Sequence, residues 1–243
     1  MGPAVALGLL ALFSDNFRLI FILAFIPAVA GVALVSLVRE RPPPPAAAGV
    51  TTSAWRGLGA GFYVFLGVSL VFALGNSSDV FLLLRAKDVG LSNSEVILSY
   101  MLFNLVYAVV AMPAGIASDR LGRRNVIGVG FAVFAAVYVG FGLAGGEAVI
   151  WPLFAVYGLH MALTEGVGRA FVADFVPSDR RATALGLYQG AMGAMILLSS
   201  VIAGALWDIV DPAAPFFLGA ATALLALVAL VILRPQAAVA QRG

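Results

Sequence analysis

Gly115-Ile116-Ala117-Ser118-Asp119-Arg120-Leu121-Gly122-Arg123-Arg124 sets one carboxylate and three guanidiniums between two long apolar runs, residues 94–117 and 125–144. At about 1.5 Å per helical residue, each run is long enough to cross a hydrocarbon core of about 30 Å. A charged turn between two such runs has to lie at a membrane surface, because charge in hydrocarbon is costly. Gly115 is expected to let two helix backbones approach closely, and Gly122 to permit a tight reversal. Asp119 suits the backbone N–H groups at a neighbouring helix N-terminus. Arg120, Arg123 and Arg124 offer donors to carboxylates on an adjacent turn.

Outward from this turn the chain stays apolar. Of its 243 residues 62% are hydrophobic and 11% charged, against roughly 25% charged in an average soluble domain. This composition indicates an all-α, polytopic membrane helix bundle. Runs at 17–38, 58–84, 94–117, 125–144, 149–173, 182–206 and 214–233 predict seven full transmembrane helices. Residues 3–13, too short to cross unaided, predict a half-helix before them, and the missing basic n-region argues against a removable signal peptide.

Arginine sets the orientation, since basic loops stay on the cytoplasmic side. Arg39, Arg41 and Arg56, then Arg120, Arg123 and Arg124, then Arg180 and Arg181, then Arg234 and Arg242 fall on one side, against Arg18, Arg85 and Lys87 on the other. The quoted turn and the C-terminus are therefore expected to be cytoplasmic. Residues 39–57 include Pro42-Pro43-Pro44-Pro45 and predict an extended cytoplasmic linker between a short bundle at 1–38 and a six-helix bundle at 58–243.

The net charge of +2 suits anionic lipid headgroups and gives no reason to invoke nucleic acid. Without cysteine and with His160 as the one histidine, neither a disulfide framework nor a thiolate or histidine-cluster metal site is expected. No phosphate loop, nucleophile elbow or metal-ligand spacing occurs, so neither an enzyme nor a cofactor is implied.

Polar residues within the spans are the candidate working groups, because an ionisable group at bilayer depth usually faces a cavity or a partner. Gly75-Asn76-Ser77-Ser78-Asp79 interrupts the first span after the linker. Local unwinding is expected there, with Asn76 and Asp79 sharing a face. Asp79 is read either as a substrate- or proton-carrying group or as a solvated residue orienting the loop near Arg85. Glu165 and Arg169 stand four apart in the acid-first order that favours an intrahelical pair. They are read either as mutual neutralisation or as a protonatable carboxylate tuned by its arginine. His160 is read as a packing residue. Tyr188 and Gln189, beside the small-residue stripe of Gly186 and Gly190, are read as ordinary interhelical hydrogen-bonding groups.

The pattern Gly-x-x-x-Asp-Arg-x-Gly-Arg-Arg, matched by Gly115, Asp119, Arg120, Gly122, Arg123 and Arg124, resembles the signature loop of the major facilitator superfamily (MFS) of secondary transporters. In that family the loop joins the second and third helices of each six-helix half, and here it lies two spans after the linker. The resemblance implies that residues 58–233 are the second half, that 1–38 are the end of the first, and that four helices are missing. The segment holding Asp174, Asp179, Arg180 and Arg181 resembles the family's acidic-then-basic loop between its tenth and eleventh helices. The two loops are expected to form a cytoplasmic charge latch, the alternative being topological anchors without a switching role. The resemblance also implies that the region around Asn76 and Asp79 bends and lines a cavity.

For activity, the resemblance implies secondary active transport of a small organic solute, with the proton as coupling ion and outward export, in a bacterial inner membrane. Gly2-Pro3 resembles part of an antiporter signature, which leans toward antiport. Two alternatives stand beside this: a truncated half-transporter that needs an oligomer or its missing half, and a seven-helix receptor.

Overall fold

The computed structural model describes residues 57–235, together with Gly8, Ile22, Leu23, Phe25, Pro27, Val29, Gly31, Ala33 and Leu34. The chain divides into two compact units, Met1–Thr51 and Thr52–Gly243. The described residues of the first unit are helical. The rest of the expected half-helix at 3–13, the span at 17–38, the linker up to residue 56 and Arg242 lie outside the described residues.

The second unit is a helix bundle without strands among its described residues. Helix α1, Ala60–Gly75, starts after Gly59 and ends where Asn76 leaves helical geometry. Helix α2, Val80–Asp88, resumes the same span after a short unwound segment. Asn93–Leu121 forms α3, opened by a capping box in which Ser92 Oγ accepts the Glu95 N–H and the Glu95 carboxylate accepts the Ser92 N–H. Arg123–Leu143 forms α4 and Glu147–Asp174 forms α5. After a short turn at Ser178–Arg180 come α6, Arg181–Ile209, and α7, Ala214–Leu233. Among the described residues six helical segments are long and apolar enough to cross a membrane.

The quoted segment is more helical than a charged turn suggests. Residues 115–121 are the last two turns of α3, and Arg123 already begins α4. Gly122 alone lies between them, with φ at 89°. That left-handed conformation is open to glycine and costs other residues roughly 1–2 kcal/mol, so one residue reverses the chain.

Burial sorts the helices. The apolar stretch of α4 is 61% buried, whereas those of α3 and α6 are 11% buried each. Helix α4 packs between α5 and α7, α7 continues onto α1, and α1 onto α6, while α3 lies along α5. Phe134, Tyr138, Phe141, Phe154, Tyr157 and Phe216 fill the centre, with Phe134 and Tyr138 stacked at 3.8 Å and Phe141 and Phe216 at 5.7 Å.

Where α1 meets α7, both contact positions are glycine. A methyl group on Gly75 would sit 2.6 Å from the Gly219 Cα and closer still to the Thr222 hydroxyl. Backbone cannot move aside as a side chain can. Gly75→Ala is therefore expected to destabilise the bundle by about 1–3 kcal/mol, measured as thermal unfolding of the purified protein in detergent. An unchanged midpoint would show that α7 shifts without cost.

Candidate functional site

Two regions of the six-helix unit collect polar groups, one at the α3–α4 turn and one midway along α5. At the turn, Arg123 is the hub. Its Nη1 donates to Asp174 Oδ1 at 2.6 Å and to the Ala170 carbonyl at 2.8 Å, and its Nη2 donates to Asp119 Oδ1 at 3.1 Å. One guanidinium thus ties the end of α3 and the start of α4 to the end of α5. A planar fork with several fixed donors can do this, and a point-charge ammonium cannot.

Only part of the expected latch set takes part. Asp119 accepts from Arg123 one turn further on, not from the backbone of a neighbouring helix. Asp179 lies 4.0 Å from the Arg180 guanidinium, and Arg180 donates to the Gly57 carbonyl at 2.9 Å. Arg120, Arg124 and Arg181 have no polar partner among the described residues. Gly115 does not bring two backbones together either, since a Cβ added there would meet nothing within 4 Å. The close approach of α3 and α5 occurs instead at Gly158, whose added Cβ would lie 2.5 Å from the Phe103 carbonyl. By Gly115 the helices have parted, leaving a cavity of about 190 Å³ that runs from Tyr107 past Gly115 and Gly166 to Asp119 and Arg123.

Midway along the bundle, α1, α4, α5 and α6 enclose a second cavity of about 240 Å³. Aromatic rings make much of its wall. Phe72 stacks on Phe131 at 4.4 Å, and Phe65 lies nearly parallel to Tyr188 at 6.0 Å. Asn76, Thr164, Glu165, Arg169, Tyr188 and Gln189 add polar atoms. Glu165 pairs with Arg169 one turn along and accepts from the Tyr107 hydroxyl at 2.9 Å. Glu165 precedes the end of α5 by nine residues, which puts it about 14 Å from that end and near the middle of a 30 Å core. Arg169 lies about 7 Å from the same end and reaches the surface more easily.

Asp79 is held elsewhere. The break between α1 and α2 separates it from Asn76, which lines the cavity, while Asp79 Oδ1 accepts from the Tyr157 hydroxyl at 2.7 Å. The expected shared face would need a continuous helix, and the chain is not helical between Gly75 and Val80. Ser78 spends its N–H on Ser200 Oγ of α6 at 3.1 Å, which replaces a bond the break removes. Arg85 does not turn toward Asp79. It pairs with Asp88 at 2.5 Å and donates to the carbonyls of Phe141, Gly142 and Ala144. Those carbonyls stand at the end of α4, where Phe141 also accepts the Ala144 N–H and where a cation suits the helix dipole. His160, fully buried, is satisfied by the Gly130 carbonyl at 2.9 Å and by ring contacts with Phe72 and Phe134. That matches its reading as a packing residue.

Tyr107 and Tyr157, the partners of the two intramembrane carboxylates, do not stand out in the sequence. The available signal is general: a tyrosine inside an apolar span needs a partner for its hydroxyl. Tyr188 and Gln189, read as hydrogen-bonding groups between helices, line the cavity, and the Tyr188 hydroxyl also reaches Ser69 Oγ at 3.5 Å.

Known proteins share this chain's pattern over most of its length. Residues 64–243 match the Major Facilitator Superfamily. An uncharacterized MFS-type transporter of Methanocaldococcus jannaschii is 31% identical over 231 residues, covering 93% of this chain and 58% of that protein. The tetracenomycin C resistance and export protein of Streptomyces glaucescens is 35% identical over 130 residues, 53% of this chain and 24% of its own length. The quinolone resistance protein NorA of Staphylococcus aureus is 24% identical over 172 residues, 71% of this chain and 42% of its own length. The chain thus spans from about a quarter to somewhat over half the length of these relatives.

Proposed function

The chain belongs to the major facilitator superfamily of membrane transporters, and from that premise we propose that it serves proton-coupled export of a small, largely apolar organic solute. The observation that supports this best is the cavity between α1, α4, α5 and α6, where stacked aromatic walls surround a few polar groups, a charged pair among them. Such a mixture suits a flat, mostly apolar molecule with a small number of polar atoms. Relatives named for export of tetracenomycin C and for quinolone resistance favour the outward direction.

In this reading residues 58–243 form one half of the transporter. A second bundle covers the weakly buried face of α3 and α6, and alternating access comes from rocking of the halves. The Asp119–Arg123–Asp174 cluster lies on the cytoplasmic side, by the sidedness of the arginines, and acts as a latch that holds one state. Asp179, Arg180 and Arg181 would join it only in another arrangement. Glu165, and less directly Asp79, are the candidates to carry the proton, with antiport in the inner membrane as the mode. Membership in a transporter family sets the seven-helix receptor aside.

The decisive measurement is efflux of a fluorescent planar aromatic solute from cells expressing the protein. Export is expected to stop when the pH gradient is dissipated and to persist when the sodium gradient is. Export that tracks sodium alone would remove the proton from the proposal. A purified chain that moves nothing in vesicles, while the chain joined to a preceding bundle does, would identify it as a half that needs its partner.

A further inference from the structure

Arg124 belongs to the signature segment yet takes no part in the Arg123 cluster. It stands instead at the mouth of a groove of about 320 Å³ on the outer side of the bundle, between α4 and α7. We propose that this groove binds one anionic phospholipid, with the phosphate at Arg124 and an acyl chain laid along Gly128 and Ala132.

The groove has the shape and polarity for it. Asn125, Gly128 and Ala132 lie along one face of α4 at helical spacing, and Leu227 and Leu230 of α7 form the opposite wall. Gly128 keeps the floor low, since a Cβ there would already touch Leu227 at 3.4 Å. From Arg124 to Ala132 the groove runs about 12 Å along the helix axis, most of the roughly 15 Å depth of one leaflet.

Charge points to an anion at the mouth. Arg124 has no polar partner among the described residues, and no carboxylate lines the groove. Helix α4 begins without a side-chain cap; the Asn125 and Val126 N–H groups donate to the Gly122 carbonyl, which leaves those of Arg123 and Arg124 open beside the guanidinium. Of the carboxylates at this end, Asp119 and Asp174 are engaged by Arg123, and Asp179 lies beside Arg180. Asn125 already donates to the Leu121 carbonyl at 2.9 Å, which fixes its side chain at the rim. A phosphate there meets a cation and aligned N–H donors. The apolar walls below it select a lipid over a free ion.

The test is retention of phosphatidylglycerol by the full chain, extracted from phosphatidylcholine vesicles containing a minority of phosphatidylglycerol and read by native mass spectrometry. The wild-type chain is expected to hold one phosphatidylglycerol through washing. Arg124→Gln should weaken retention about fivefold, and Ala132→Phe, which fills the groove from its exposed rim, should weaken it as well. Lys87→Gln, exposed at the opposite end, should retain lipid as the wild type does. Equal retention by Arg124→Gln and Ala132→Phe would overturn the proposal. So would displacement of the lipid by inorganic phosphate alone with Ala132→Phe unaffected, which would identify a phosphate-ion site instead.

Discussion

Arg123→Ala is expected to loosen the α3–α4 end of the bundle and to cut export by the whole protein at least tenfold. The reason lies in three charges placed against their own helices. Asp119 sits in the last turn of α3 and Asp174 ends α5, where the dipole disfavours anions, and Arg123 begins α4, where it disfavours cations. Arg123 reconciles all three and also serves the Ala170 carbonyl. Its removal strands two carboxylates together. Asp119 is 66% exposed and Asp174 37%, so water recovers most of the first loss and part of the second. The net cost is about 2 kcal/mol, carried mainly by the Asp174 side. Asp174→Asn should therefore outweigh Asp119→Asn in thermal unfolding, and Arg123→Lys should fall between wild type and alanine. The chain contains no cysteine, so a single cysteine at Gly166, on the cavity beside the cluster, reports opening without background. Several-fold faster labelling in Arg123→Ala is the expected result. Unchanged labelling and unchanged export would reduce these charges to topological anchors.

The class of fold is legible in the sequence for a simple reason. Runs of apolar residues long enough to span a membrane leave no other fold for the backbone, whose polar groups must be satisfied within each helix. The break at Gly75 to Asp79 is legible too, because Gly-Asn-Ser-Ser-Asp weakens a helix locally. Contacts set by distant partners are not. Tyr107 lies 58 positions from Glu165 and Tyr157 lies 78 from Asp79, and nothing local to either carboxylate names its tyrosine. The same holds for Arg85, whose acceptors lie 56 to 59 positions away at the end of α4. Within the signature segment, residue identities point to an interacting charge cluster. They do not show that one arginine of three makes the contacts, because that depends on where the end of α5 arrives.

Glu165→Gln is expected to abolish accumulation of solute against a gradient while leaving downhill movement largely intact. A carboxylate near the bilayer centre costs about 2.5–3.5 kcal/mol on insertion scales, and the fold offsets that with two donors, Arg169 and the Tyr107 hydroxyl. Two readings of this arrangement make opposite forecasts. If Glu165 serves only to neutralise Arg169, the single substitution leaves a half-exposed guanidinium unpaired, and removing both charges in Glu165→Gln with Arg169→Gln should restore stability and transport together. If Glu165 carries the proton, the double variant regains stability but not uphill transport, since no group is left to bind and release a proton. A double-mutant cycle read on both quantities separates the cases, because the coupling energy appears in stability under either reading and in uphill transport only under the first.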